Sequence, residues 1–442
     1  MTSIAQVSQA MQTVLTTVAD AAARTTGFVQ RVSKCTGALF TQTLVLGFLS
    51  NPQATREELA QTAATLGLTI SQQGLDQRMT ETAANCLLAV LDQAVATVLA
   101  ADPVAIPLLA RFNGVFIQDS TLIDLPSTLA HSWRGSGNQH TTANATARLK
   151  LGVRLNLTTG ALDGPHPDHG LTADRTIPLQ DAPIPAGALR IADLGFFDLD
   201  VLQAIGQADG YWLTRPQITT VMTDPDGQRL DLPTFLAAQA AAMVDVPIHL
   251  GARARLDCRL LAVRVPQEVA DQRRRRLRAA AKRRGRTPNA TQLVLADWTI
   301  FVTNVPPEQL SVREALILGR ARWQIELLFK LWKRQRQIDT WRSEQPGAIL
   351  CALYAKVIAM ILQHWIMLVG CWAYANRSLT KAAATVRKHA LCLATALRCG
   401  GQLAEAITII AECLAVGCRI NKSQKTPHTY QLLLDVTEAT LG

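Results

Sequence analysis

The sequence lacks the short motifs of several large enzyme classes. It contains no H-E-x-x-H, G-x-S-x-G or G-x-x-x-x-G-K-[ST], which excludes zincin, nucleophile-elbow and P-loop chemistry. Its nine cysteines are dispersed over 442 residues without paired C-x-x-C segments at zinc-ribbon spacing, so they read as reduced, buried thiols. His166 and His169 in GPHPDHG form the closest histidine pair, and with no cysteine nearby a surface turn is expected there. Aromatics are scarce at 5% and charged residues stand at 18%, against 48% hydrophobic, the balance of a folded, helix-leaning globular chain. The N-terminal stretch has no basic region followed by an unbroken apolar core, so no secretory signal is expected and a cytoplasmic location is. Only Pro346 to Ala375 resembles a membrane span, and Lys356, Gln363 and His364 interrupt it; a buried core helix and no membrane partner are expected.

What the chain has in excess is positive charge. Lys plus Arg number 44 against 34 for Asp plus Glu, a net +10, with a pI near 9.4. Such a surface attracts polyanions, nucleic acid first. Most of the excess sits in one run from Asp271 to Arg286, which holds Arg273, Arg274, Arg275, Arg276, Arg278, Lys282, Arg283, Arg284 and Arg286. Taken alone, a run of this density is a solvated, self-repelling face.

Periodicity divides the chain. Residues 1–105 read as helical, and within them Thr55 caps a helix with Glu58 three residues on. That helix stops at Gly67, and a second one opens near Ser71, so a helix-turn-helix and an ordinary helical bundle are both open. From residue 106 strands take over: 114–119, 147–157, 160–164, 188–193 and 210–214, with a helix at 198–207 before the last. Three strands, then strand, helix, strand, is the order of a ribonuclease H-like core. Residues 216–308 read as a β-rich insertion, with strands at 247–250, 256–265 and 292–303 and a basic helix. Residues 309–345 carry a long helical pattern from Ser311 to Arg336, and residues 346–442 read as a helical C-terminal region with a polar turn at 422–428. The expected fold is therefore α/β and multidomain, a ribonuclease H-like core in two parts (106–215 and 309–345), interrupted by the insertion and flanked by helical regions.

Asp119 and Asp193 each close an apolar strand, in FIQDS and LRIAD, which mounts two carboxylates where strands end. Magnesium takes one or two carboxylates together with phosphate oxygens, so a third acid would complete a phosphoryl-transfer site. Glu326 is the candidate: on GRARWQIELLFKLWK a helix places Gly319, Arg322, Glu326, Lys330 and Lys333 within about 80° of arc. One acid among three cations suits a carboxylate surrounded by phosphate contacts, although i,i+4 ion pairs on a solvated face are the simpler explanation of the helix alone.

Together these segments resemble the DDE transposases of bacterial insertion sequences, in the insertion-sequence-four group with its Tyr-x2-Arg-x3-Glu-x6-Lys helix. Arg322, Glu326 and Lys333 match that motif at its spacing, Asp119 lies in IQDSTLIDLP and Asp193 in IADLGFFDLDVL, and the likeness runs from about residue 50 to 380. One position departs, because the motif's tyrosine is Gly319. The resemblance implies cut-and-paste transposition, a metal-dependent cleavage and strand transfer. Asp119, Asp193 and Glu326 are its catalytic and metal-holding acids, with two Mg²⁺ or Mn²⁺ ions as cofactor. It also implies a DNA-binding N-terminal region, element ends and target as double-stranded DNA partners, a homodimer on DNA, and a place in the bacterial cytoplasm on the nucleoid. Arg322, Lys330 and Lys333 would contact DNA, the basic run becomes a phosphate-contacting arm, and Trp298, in a W-x-x-x-x-T-N-x-P segment, becomes a candidate for stacking on a flipped base, beside the equally open reading of a strand tryptophan packed in the core. With glycine at the tyrosine position, an impaired DNA-binding derivative and a nuclease that cuts without joining are the alternatives.

Overall fold

Alternation of inward and outward residues continues past Asp119, and so does the strand. In the computed structural model β1 spans Val115–Leu125, with Thr121, Ile123 and Leu125 buried and Leu122 and Asp124 exposed, so Asp119 lies within the strand rather than closing it. Residues 2–31, 33–135, 146–287, 289–400, 402–423 and 427–435 are described. Residues 424–426, within the expected polar turn, lie outside them.

The remaining strands are β2 (Ala147–Asn156), β3 (Leu162–His169), β4 (Leu189–Ala192), β5 (Tyr211–Thr214), β6 (Met222–Thr223), β7 (Met243–Leu250), β8 (Leu256–Arg264) and β9 (Trp298–Thr303). They form a mixed sheet of order β3-β2-β1-β4-β5-β9-β8-β7-β6. The β1–β4 and β4–β5 pairs are parallel, while β2–β3 and the run from β5 through β9, β8 and β7 to β6 are antiparallel. A parallel pair needs a crossover, and the helix Leu199–Gln207, capped by Asp198, supplies it between β4 and β5. Two expectations change. GPHPDHG is strand, with His166 bonded to Asp163 at 2.7 Å, and the segment before β9 is the helix Ala290–Leu295, started by Asn289 accepting from the Thr291 amide.

The chain divides into two compact units. The first comprises Met1–Ala105, Ser120–Thr172 and Gln324–Asn421; the second comprises Ile106–Asp119, Ala173–Trp323 and Lys422–Gly442.

The core of the first unit is the helix Pro346–Cys371, packed against Glu81–Ala96, Gly37–Ser50 and Leu403–Gly417. It is long and apolar enough to cross a membrane, yet its apolar window is wholly buried inside the protein. The polar residues that interrupt it are used internally. Lys356 donates to the carbonyls of Gln337 (3.0 Å) and Thr340 (2.6 Å), and burial pulls its pKa down to about 8. His364 donates from Nε2 to the Gly160 carbonyl at 2.7 Å. Gly160 has φ +72°, and a Cβ there would stand 2.5 Å from the Trp372 ring, so only glycine lets that backbone approach. The capping box at Thr55 and Glu58 forms as expected, and Arg56 ties the next helix, Gln72–Asp76, through Asp76 at 2.6 Å.

Burial lowers the pKa of His364 from its ordinary 6.5 to about 4. The unfolded chain therefore takes a proton at this histidine before the folded chain does, and stability is lost as pH falls from 6.5 towards 4. The loss reaches on the order of 3 kcal/mol once complete. Thermal melts across this range are expected to show it, and His364→Gln to flatten it; an equally steep acid limb in that variant would place the titration elsewhere.

The core of the second unit is a cluster that includes Trp212, Met222, Leu236, Ile248, Leu260, Trp298 and Val302, between the β5–β9–β8–β7 surface and the helices Leu199–Gln207, Leu232–Ala237 and Ala290–Leu295.

Candidate active site

Register brings the two aspartates side by side. β1 pairs with β4 through Gln118 and Ala192, and the next residue on each strand is Asp119 and Asp193. The Asp119 side chain is 17% exposed and that of Asp193 49%. A single guanidinium lies between them: Arg322 Nη1 donates to Asp119 Oδ2 at 2.8 Å, and Nη2 stands 3.9 Å from Asp193 Oδ1. Arg322 follows the helix Val312–Ala321 and precedes Trp323–Arg336. The long helix expected from the sequence is thus broken in its hydrogen bonding at one residue whose backbone stays helical, at φ −52° and ψ −31°.

Beside the pair a cleft of about 170 Å³ opens, lined by Asp193, Arg215, Phe301, Gly319, Arg320 and Arg322 among others. Arg215 and Arg320 escaped the sequence reading. Arg215 follows β5 with no motif around it, and only the β5–β9 pairing carries it into the cleft, with its guanidinium 6.0 Å from the Phe301 ring centre. Two carboxylates set among cations suit a ligand that is itself a metal ion held against phosphate oxygens. Among the described residues no group of three His, Cys, Asp or Glu is gathered as a metal site.

Glu326 belongs to the first unit, half-buried on the helix Trp323–Arg336, as do the exposed Lys330 and the half-buried Lys333. Lys333 Nζ donates to the Leu122 carbonyl at 2.9 Å, on the part of β1 that lies beyond Asp119. Trp298 is a core side chain, 5% exposed, with the Arg264 guanidinium 4.8 Å from its ring centre.

The basic helix, Gln267–Arg283, is not uniform. Arg273 donates to the Trp298 carbonyl and to Thr299 Oγ1, both at 2.9 Å, and burial, with Arg215 adding to it, lowers its pKa. Arg274 pairs with Asp297 and, at 2.9 Å, with Asp271. These two arginines therefore secure the helix to β9 and its approach. Arg275, Arg276, Arg278, Lys282, Arg283, Arg284 and Arg286 are exposed.

Compared with known proteins, the sequence matches the family described as "Transposase DDE domain" over residues 110–362, more than half of the chain. The chain belongs to that family. The transposase DDE match takes in β1, β4, the cleft and the helix that carries Glu326. The chain is 26% identical to the transposase for insertion sequence element IS231F of Bacillus thuringiensis subsp. israelensis, over 68% of this chain and 66% of the relative. It is 24% identical to the IS231B transposase of subsp. berliner, over 77% and 75% respectively. It is also 29% identical to the putative transposase InsL for element IS186A of Escherichia coli K12, over 40% of this chain and half of that protein. The chain thus spans just under two thirds of the IS231F transposase and 56% of its IS231E counterpart.

The glycine at the motif's tyrosine position has a local cause in this member of the transposase DDE family. A Cβ on Gly319 would meet the Phe301 ring at 2.4 Å, so the ring fills the space a side chain at 319 needs. Gly319→Tyr is accordingly expected to overpack the cleft and destabilise the protein by about 1–3 kcal/mol. A second substitution, Phe301→Ala, should recover most of that loss, measured by chemical denaturation. A tyrosine accommodated at no cost would mean that Phe301 moves freely.

Proposed function

We propose that this chain is an insertion-sequence DDE transposase, which cleaves DNA at the ends of its element and joins those ends to a target by metal-dependent, cut-and-paste phosphoryl transfer. The observation that carries this reading is the bridge from Asp119 through Arg322 to Asp193, lying within the stretch that belongs to the transposase DDE family. Two hard oxygen donors already face one cationic group there, which is the donor chemistry that suits Mg²⁺ or Mn²⁺. Asp119, Asp193 and Glu326 would hold two such ions. So held, the ions would supply Lewis acidity for activating a water or 3′-hydroxyl and for stabilising a leaving oxygen.

The chain's own residues bind and orient the substrate. Arg322, Lys330 and Lys333, joined by Arg215 and Arg320 in the cleft, offer cationic contacts to phosphates on either side of the scissile bond. The exposed cations from Arg275 to Arg286 extend that contact along the duplex. The order β3-β2-β1-β4-β5, with a helix between β4 and β5, supports a ribonuclease H-like core, and β6 to β9 with their helices support an insertion between its parts. Double-stranded DNA is the partner, engaged as a homodimer, which puts the protein on the nucleoid in the cytoplasm.

The direct test incubates the full chain with labelled duplexes carrying the terminal repeats that flank its gene, a target plasmid and Mg²⁺ or Mn²⁺. Cleaved ends and strand-transfer products are expected. Cleaved ends never joined to target would indicate a nuclease, and intact ends under both metals would reject the enzyme.

A further inference from the structure

The first unit carries a second cationic cleft, of about 250 Å³, at which the turn of Asn51 to Gln53, the end of the helix Trp323–Arg336 and the helix Leu379–Lys388 meet. Its charged lining residues are Arg334 and Arg387, accompanied by the amides of Asn51, Gln53, Gln335 and Gln337, and among the described residues no carboxylate lines it. Both arginines are exposed, and neither makes an ion pair among the described residues. Glu58, which accepts from the Asn51 side chain at 3.0 Å, is engaged at the Thr55 amide in its capping box and is not part of the lining.

A third arginine adds to the positive charge. Arg336 is 2% exposed, donates to the Leu49 carbonyl at 2.7 Å and to the Gln363 amide oxygen, and has no carboxylate partner among the described residues. Burial, followed by the charge on Arg387, lowers its pKa to about 9. The next residue, Gln337, holds a left-handed backbone at φ +46° and leaves its side-chain oxygen buried without a hydrogen-bond partner. Buried cations are normally paired, and strained non-glycine residues persist where the surroundings impose them. Here the two cleft guanidinium groups and the buried Arg336 behind them have no carboxylate in an ion pair among the described residues.

We propose that this cleft is a phosphate-binding site that takes a backbone phosphodiester of duplex DNA away from the reacting carboxylates. Arg334 and Arg387 donate charge-assisted hydrogen bonds to its oxygens, and the surrounding amides orient it. The identity of the occupant rests on the reading of the protein as DNA-acting; the phosphate chemistry of the cleft does not.

The test uses the full chain and a random-sequence 40-base-pair duplex, followed by fluorescence anisotropy over a salt series. Inorganic phosphate, followed by thermal shift, distinguishes a small anion from DNA. The double variant Arg334→Gln, Arg387→Gln is expected to bind duplex roughly tenfold or more weakly, with the slope of log affinity against log salt reduced by about 0.9 for each phosphate that the variant no longer neutralises. Arg387→Lys should recover part of the affinity. Removing Arg387 relieves its repulsion of Arg336, so Arg387→Gln should melt at the wild-type temperature or above, which separates weakened binding from impaired folding. An unchanged slope and affinity in the double variant, with stabilisation by inorganic phosphate also unchanged, overturns the site. Wild-type duplex binding in the double variant, together with the disappearance of stabilisation by inorganic phosphate, overturns DNA as the occupant and leaves a small-anion site. A wild-type chain that binds no duplex overturns both the DNA-acting reading and the DNA occupant.

Discussion

Glu326→Gln and Asp193→Asn are each expected to lower DNA strand cleavage by about 10³-fold or more while duplex binding changes little. Each swap keeps the side-chain size and removes the charge that would hold a divalent cation in the proposed reaction. Asp193 is half exposed, so its variant should fold normally. Asp119 differs: it is mostly buried and bonded to Arg322, so Asp119→Asn removes the charge from that ion pair and should also lower the melting temperature. Three carboxylates sharing the proposed site would repel one another, so on that proposal Mg²⁺ or Mn²⁺ should raise the melting temperature of the wild type more than that of any of the three variants. Cleavage of a labelled end duplex, gel-shift binding and melts with and without metal separate these effects. Wild-type cleavage by Glu326→Gln would remove that residue from the chemistry.

The second large effect concerns the basic helix, where the structure changes which residues should be replaced. Neutralising Arg275, Arg276, Arg278 and Arg283 together removes exposed charges only. If all four contact phosphate, the salt slope flattens by up to about 3.6 and affinity for specific and random duplex alike falls by about 10²–10³ at low salt. Folding should be unaffected. Arg273 and Arg274, by contrast, are bonded to Trp298, Thr299, Asp271 and Asp297, so replacing them is expected to cost stability through the packing of β9. A salt slope unchanged in the quadruple variant would make this helix a solvated face and confine the DNA path to the cleft around Arg322.

Much of this was legible in the residues. Strand positions followed from alternation, as in β2, and a helix start followed from its cap, as at Thr55, because both are set within a few residues of chain. The misjudged segments were short ones in which local signals compete. GPHPDHG is rich in turn-forming residues yet is held as a strand by pairing with β2, and the apolar residues before β9 form a helix because Asn289 caps them. Trp298 reads from its motif as a base-stacking aromatic and from its strand as a core residue, and the meeting of β8, β9 and Arg264 around it gives the second.

The sequence by itself determined the chemistry available: two acids in apolar strand segments, a third on a helix with basic neighbours, a cationic surface, and an apolar helix whose Lys356 and His364 argued against a membrane. Those are properties of residue type and spacing. The tertiary structure alone decided that Asp119 and Asp193 share one guanidinium, since β1 and β4 meet only through sheet register and Arg322 arrives from more than 100 residues further along the chain. It alone decided that Phe301 occupies the space above Gly319, and that Arg215, Arg273 and Arg387 face a cleft, a core strand and a second cleft respectively. Which partner a charged side chain meets depends on contacts between distant segments, and no local pattern encodes those distances.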